Sequence, residues 1–145
     1  MTISEITTGN HHPNTGGTPS IDTSDSPQLA PPAGHYSHIA THRGVAHISG
    51  QLPVAPDGSL LAGEPFEVQA RQVLSNLDAC LATAGTSHDK LISVTVHVTD
   101  IGDWPAFDHV YKEWLGATRP ARAVAGATEL HYGSAVEVYA VAALD

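Results

Sequence analysis

The stretch Leu91-Ile92-Ser93-Val94-Thr95-Val96-His97-Val98-Thr99 decides the fold. Ile92, Val94, Val96 and Val98 alternate with Ser93, Thr95, His97 and Thr99, the period of a β-strand with one apolar face. Upstream the period lengthens. Phe66, Ala70, Val73, Leu74, Leu77 and Leu81 recur at helical spacing and predict a helix over 65–84. Pro65 suits its first turn and Gly85 its end. Downstream, residues 100–103 turn the chain into a second helix over 104–115, striped by Trp104, Phe107, Tyr111 and Trp114. Strands follow at 121–127 and 135–143. Two short β-like runs, 35–40 and 45–49, meet at Arg43-Gly44 and precede a turn at Ala55-Pro56-Asp57-Gly58. This order predicts an α+β fold, a sheet covered by two helices on one face. In the last strand Val136, Val138 and Ala140 point one way and Glu137, Tyr139 and Val141 the other, so both faces carry apolar groups. The uncovered face therefore calls for association with further copies of the chain.

Residues 1–30 read differently. They hold no aromatic residue, no Lys and no Arg, and are dominated by Thr, Ser, Gly, Pro, Asn and Asp. Such a segment buries too little apolar surface to offset about 1–2 kcal/mol of backbone entropy per residue. The expected organisation is a flexible tail over 1–30 and one domain over 31–145. His11-His12 in that tail offers only two neighbouring imidazoles, too few for a metal site.

Composition narrows the function. The 145 residues carry 15 Asp and Glu against 6 Lys and Arg, a net charge of −9. The six cations are scattered in sequence, which argues against nucleic acid as the main partner. A single cysteine, Cys80, excludes an intramolecular disulfide framework and an all-cysteine metal site. On the first helix it reads as a small buried hydrophobe. No apolar run reaches the length of a membrane span, and the first residues lack the pattern of a secretory signal. A cytoplasmic protein is the expectation.

Among candidate functional residues, Arg122 is the most informative. It follows Pro120-Ala121 and precedes the small apolar run Ala123-Val124-Ala125-Gly126. A guanidinium in that setting needs an anion, and its planar fork suits a carboxylate. A structural ion pair with an acid such as Glu137 and a ligand carboxylate both meet that need. Glu137 sits mid-strand between valines; lining a cleft, it is placed for proton transfer, and otherwise it is a surface acid or a partner of Arg122. Ser49-Gly50-Gln51 ends a strand, and Gly50 lets a ligand approach the backbone. Tyr36 is either a cleft phenol or a core aromatic. His97 and His109 read as solvated or locally satisfied histidines. No zinc-protease motif, P-loop or dinucleotide fingerprint is present.

Several short elements occur in order: Gly34-His35-Tyr36-Ser37, Ile48-Ser49-Gly50-Gln51-Leu52-Pro53, Gln69…Leu74…Asn76-Leu77, Val94-Thr95-Val96…Thr99-Asp100, Pro120-Ala121-Arg122 and Val136-Glu137-Val138. Together, over about 34–144, they resemble the Rid family, the YjgF/RidA-like reactive-intermediate deaminases. The resemblance implies a chorismate-mutase-like fold with a mixed sheet, assembled as a homotrimer with clefts between subunits. It implies cofactor-independent hydrolysis of 2-imino or enamine acids, such as 2-aminoacrylate, to 2-keto acids and ammonia. By the same resemblance Arg122 holds the substrate carboxylate, Glu137 serves the attacking water, Ser49-Gly50 offers a backbone contact, and Tyr36 lines the cleft. Asp108 stands where the family commonly has asparagine, among the substrate-binding positions. Val124 stands in place of a frequent cysteine, and His131-Tyr132-Gly133 replaces a usual proline after Leu130. These differences leave room for a specialised member with another reaction, or for a non-catalytic binder of a small carboxylate. Family members described as ribonucleases fit this acidic chain least.

Overall fold

The computed structural model describes residues 20–145. Six strands form one sheet: β1 Asp22–Ser24, β2 Ile39–His42, β3 Val45–Gln51, β4 Leu91–Val98, β5 Ala121–Gly126 and β6 Val136–Ala143. Two helices, α1 Phe66–Ala84 and α2 Trp104–Leu115, pack against one face. The strand order is β1-β2-β3-β6-β4-β5. The β4–β5 pair is parallel and every other pair antiparallel. The sheet is therefore mixed, and the α+β class read from the sequence is the class observed. Among the described residues, no helix is long and apolar enough to cross a membrane.

Alternation sets the core. Val94, Val96 and Val98 of β4 and Val136, Val138, Ala140 and Ala142 of β6 are buried under the helices. They meet Ala70, Val73, Leu74, Leu77, Cys80 and Leu81 of α1 and Phe107, Val110, Tyr111 and Leu115 of α2. Each fully buried side chain of this size contributes roughly 1.5–3 kcal/mol. Burial also pushes the Cys80 thiol up to about 12, leaving it a packed neutral group. Gly85, at φ 87°, ends α1 in the left-handed conformation that needs no Cβ. Arg43 and Gly44 both take positive φ, 49° and 76°, as a two-residue hairpin between β2 and β3 requires.

Three expectations shift. Residues 22–24 are not tail: they pair as β1 with β2. Ser26 is buried, its N–H donating to His38 Nδ1 at 3.0 Å. The boundary at residue 30 is thus too late, because polar residues here gain backbone partners in place of apolar burial. Residues 1–19, with His11-His12, lie outside the described residues. The strand expected from residue 35 starts at Ile39, as β2, since the N–H of His38 is taken by Asp25 Oδ1. Ile92 leaves the apolar face because the register shifts between Leu91 and Ser93, which exposes it.

Two buried amides fasten the long connection after β3 to α1. Gln69 Nε2 donates to the carbonyls of Ala62 and Glu64 at 3.0 and 2.9 Å, while its Oε1 accepts from Ala135 N–H at 2.9 Å. Asn76 Nδ2 donates to the carbonyls of Leu52 and Val54 at 3.1 and 2.9 Å. Gln69→Leu strands these buried groups, each worth about 1–3 kcal/mol when left unpaired. A urea titration should show a loss of at least about 2 kcal/mol; a change below half that would mean the loop is held by other contacts.

Candidate functional site

The sequence candidates fall into two groups on opposite sides of the sheet. The first gathers around Glu137. In β6 it points to the face without helices, opposite His97 of β4, with His97 Nδ1 3.8 Å from Glu137 Oε1. The two side chains are 25% and 33% exposed, so both are shielded but reachable by water. The His97 ring stands edge-on to Tyr139 at 5.7 Å. The register of β3 against β6 shifts between Ile48 and Gln51, and this irregularity carries Ser49 and Gly50. A Cβ on Gly50 would lie 2.7 Å from Glu137 Oε2, so glycine there is what lets the carboxylate sit against the backbone.

Ser49 does other work. Its hydroxyl donates to Ser37 C=O at 2.6 Å and its N–H to His38 C=O at 3.0 Å. These bonds hold the segment that carries Tyr36. Tyr36 is half exposed and, with Gly50, Leu60, His131 and Tyr132, lines a cavity of about 590 Å³. Tyr132 takes φ 63°, unusual for a bulky residue. Its place is set by Ser134, whose hydroxyl donates to His131 C=O at 2.7 Å, and by the Gln69 bond to Ala135.

The second group surrounds Arg122. It is paired with Val94 in the parallel β4–β5 ladder and so shares the helix side of the sheet. The guanidinium carbon lies 4.4 Å from the centroid of the Trp104 ring and 4.9 Å from that of Tyr111. Nη1 donates to Asp108 Oδ1 at 3.1 Å. Trp104, Asp108 and Tyr111 follow one another at helical spacing on α2, which is why one face of that helix cradles one arginine. The side chain is 26% exposed and opens on a concavity of about 790 Å³.

The structure thus joins Glu137 to Gly50, Tyr36 to Gly50 and Arg122 to Asp108. It does not bring Arg122 and Glu137 together in one copy. The ion pair open to Arg122 is made by Asp108 and not by Glu137. Sequence reading missed the Trp104–Tyr111 cradle, having placed both rings in the apolar stripe. The signal was available: a helix stripe carrying Asp108 between two aromatic rings, beside an isolated strand arginine. His97, read as solvated, is the neighbour of Glu137. Among the described residues no three of His, Cys, Asp and Glu gather as metal ligands.

Tyr111 adds an unusual feature. Its hydroxyl is buried with no hydrogen-bond partner among the described residues. Burial pushes its pKa up to about 12, partly offset by the Arg122 charge, so the phenol stays neutral. An unpaired buried hydroxyl costs about 1–3 kcal/mol. Tyr111→Phe should therefore leave the ligand-free protein as stable as the parent or up to about 1 kcal/mol more stable. A clear drop in thermal midpoint would show that the hydroxyl has a partner in the free protein.

Comparison with known proteins places this architecture. The family model described as Endoribonuclease L-PSP matches residues 27–144. A RutC family protein of Pyrococcus horikoshii is 34% identical over 123 residues, covering 84% of this chain and 94% of that protein. A goat (Capra hircus) protein named 2-iminobutanoate/2-iminopropanoate deaminase is 36% identical over 123 residues, covering 84% and 87%. Among solved structures, the Rid family protein YyfA of Yersinia pestis superposes with a TM-score of 0.82 at 32% identity, covering 86% and 99%. Escherichia coli TdcF with bound serine gives 0.79 at 28%, covering 84% and 98%. With a family match that spans nearly all the described residues and relatives alike over most of their length, the chain belongs to the Endoribonuclease L-PSP family, the Rid proteins.

Proposed function

We propose that this protein hydrolyses 2-imino acids to 2-keto acids and ammonia. The observation that carries the reading is Arg122, whose guanidinium lies over two aromatic rings and, among the described residues, is bonded to a side chain through only Nη1. Its remaining donors form a preset fork for a carboxylate. The goat relative's name and the serine in the TdcF structure support a carboxylate-bearing amino-acid derivative as ligand.

The chemistry asks little of the protein. A 2-imino acid has an electrophilic C2 that water attacks unaided, so orientation and a base supply the rate. With its carboxylate on Arg122, water adds to C2, forming the C–O bond while Glu137 takes the proton. That proton passes to nitrogen, giving a carbinolamine. Its hydroxyl then loses its proton to Glu137, which delivers it to nitrogen as the C–N bond breaks, the C=O of the 2-keto acid forms and ammonia leaves. Oxidation states balance without a redox cofactor.

Arg122 and Glu137 occupy opposite sides of one sheet, so the reading requires a second copy. Clefts between subunits, with Arg122 from one copy facing Gly50, Glu137 and Tyr36 of the next, complete the site, and a homotrimer is the proposed assembly. Among the described residues, no helix lies over the face bearing Tyr139 and Val141, and this is the surface available for that assembly. A second reading, a non-catalytic carboxylate binder, draws on Asp108, which already occupies one nitrogen of Arg122.

An amino-acid oxidase generating imines, with semicarbazide as trap, separates the two. Addition of the protein should lower semicarbazone formation, and Arg122→Ala should reduce that effect about 100-fold. Undiminished trapping across the panel would leave only the binder. Gly50→Ala should cut activity at least tenfold with little loss of stability, because the added methyl displaces the flexible end of Glu137; wild-type rates in that variant would remove Glu137 from the mechanism. Light scattering should give three times the chain mass, and a monomer with full activity would sink the shared cleft.

A further inference from the structure

In sequence the cations of this chain are scattered; in the fold they are not. Lys112, Arg119 and Arg122, half of the chain's six Lys and Arg, line the single concavity of about 790 Å³ beside α2. Lys112 lies one helical turn beyond Asp108, and Arg119 stands three residues before Arg122 at the entry to β5. Among the described residues Asp108 is the only acid on that wall, which gives the wall a net charge of +2 in a protein of net charge −9. Among the described residues, Lys112 and Arg119 form no ion pair, unlike Arg71, which pairs with Glu67 at 2.8 Å. Tyr111, only 6% exposed, lines the same concavity with its buried hydroxyl unpartnered.

A monocarboxylate accounts for Arg122 alone. It leaves two further cations facing the same space with nothing to neutralise them. We propose that the concavity takes a second carboxylate, so that the substrates of this protein are 2-imino dicarboxylic acids of four or five carbons. The α-carboxylate sits on the Arg122 fork and the side-chain carboxylate on Lys112 and Arg119. The charge of such a dianion matches the +2 of the wall. Hydrolysis is balanced as before: water adds at C2, the C–N bond breaks, and ammonia and a 2-keto dicarboxylate leave. The assignment of the reaction rests on the imine-hydrolase reading; the assignment of a two-carboxylate site does not, and the experiment separates them.

Binding is measured by titration calorimetry on the full chain with succinate and with butanoate, which share four carbons and differ in one carboxylate. Turnover is compared in the trapping assay for the imine of aspartate against that of alanine. Succinate should bind about tenfold tighter than butanoate, the scale of two exposed charge contacts, and the aspartate imine should be favoured to a similar degree. In Lys112→Gln/Arg119→Gln both ratios should fall to near one. Both positions are exposed, so folding is retained, which thermal unfolding checks. Equal binding of the two acids, or a preference that survives the double substitution, overturns the two-carboxylate site whatever the imine assay shows. Selective succinate binding that the double variant loses, with no turnover of any imine, upholds the site and overturns the hydrolase reading instead.

Discussion

One-sided coverage of the sheet is the constraint from which the rest follows. Both helices lie on one face, so every second residue of β4 and β6 must be apolar and every other one is left outside the core. A slip of one residue in β6 would bury Glu137 and Tyr139 and expose Val136 and Val138, at a cost of several kcal/mol by transfer arithmetic alone. Register here is therefore firmly set, and the chemistry inherits it. Glu137 is outside because Val136 and Val138 are inside. Arg122 is on the helix side because its ladder partner is Val94.

Arg122 shows how an edge strand keeps a charge without desolvating it fully. Its flanking residues are too small to cover it, and the rings of Trp104 and Tyr111 supply a surface that attracts a cation. With 26% of the side chain exposed, the guanidinium keeps contact with water, and Asp108 neutralises it at little cost. A lysine at this position would lack the delocalised, weakly hydrated guanidinium that suits two rings, and the fork. Asp108 in turn is itself half in water, so the pair as a whole stays hydrated.

What could be read in the sequence divides along the same physical line. Period-two and helical stripes exposed β4, β6, α1 and α2 almost to the residue, since each is enforced by burial. β1 was invisible because Asp22–Ser24 is exposed and polar and joins the sheet through its backbone alone. The shift that exposes Ile92 is likewise a backbone event with no side-chain signature. Arg122, Glu137 and Gly50 stood out individually, as an isolated cation, an isolated acid and a glycine at a strand end. Their grouping did not, because the rings of Trp104 and Tyr111 that hold Arg122 come from the helix before it and serve the core as well.

The thickness of a sheet then bears on the site as a whole. Side chains on opposite faces of one sheet point away from each other, and neither Arg122 nor Glu137 can cross it without abandoning its register. A fold of this class therefore keeps Arg122 and Glu137 out of a common cleft within one chain. Edge strand β5, short and made largely of Ala and Gly, and the uncovered face beside it leave room for another copy to approach closely. In the proposed assembly, association would close the exposed face and supply the missing half of the proposed site in the same step. Assembly and chemistry are, on this reading, two consequences of leaving one face of the sheet bare.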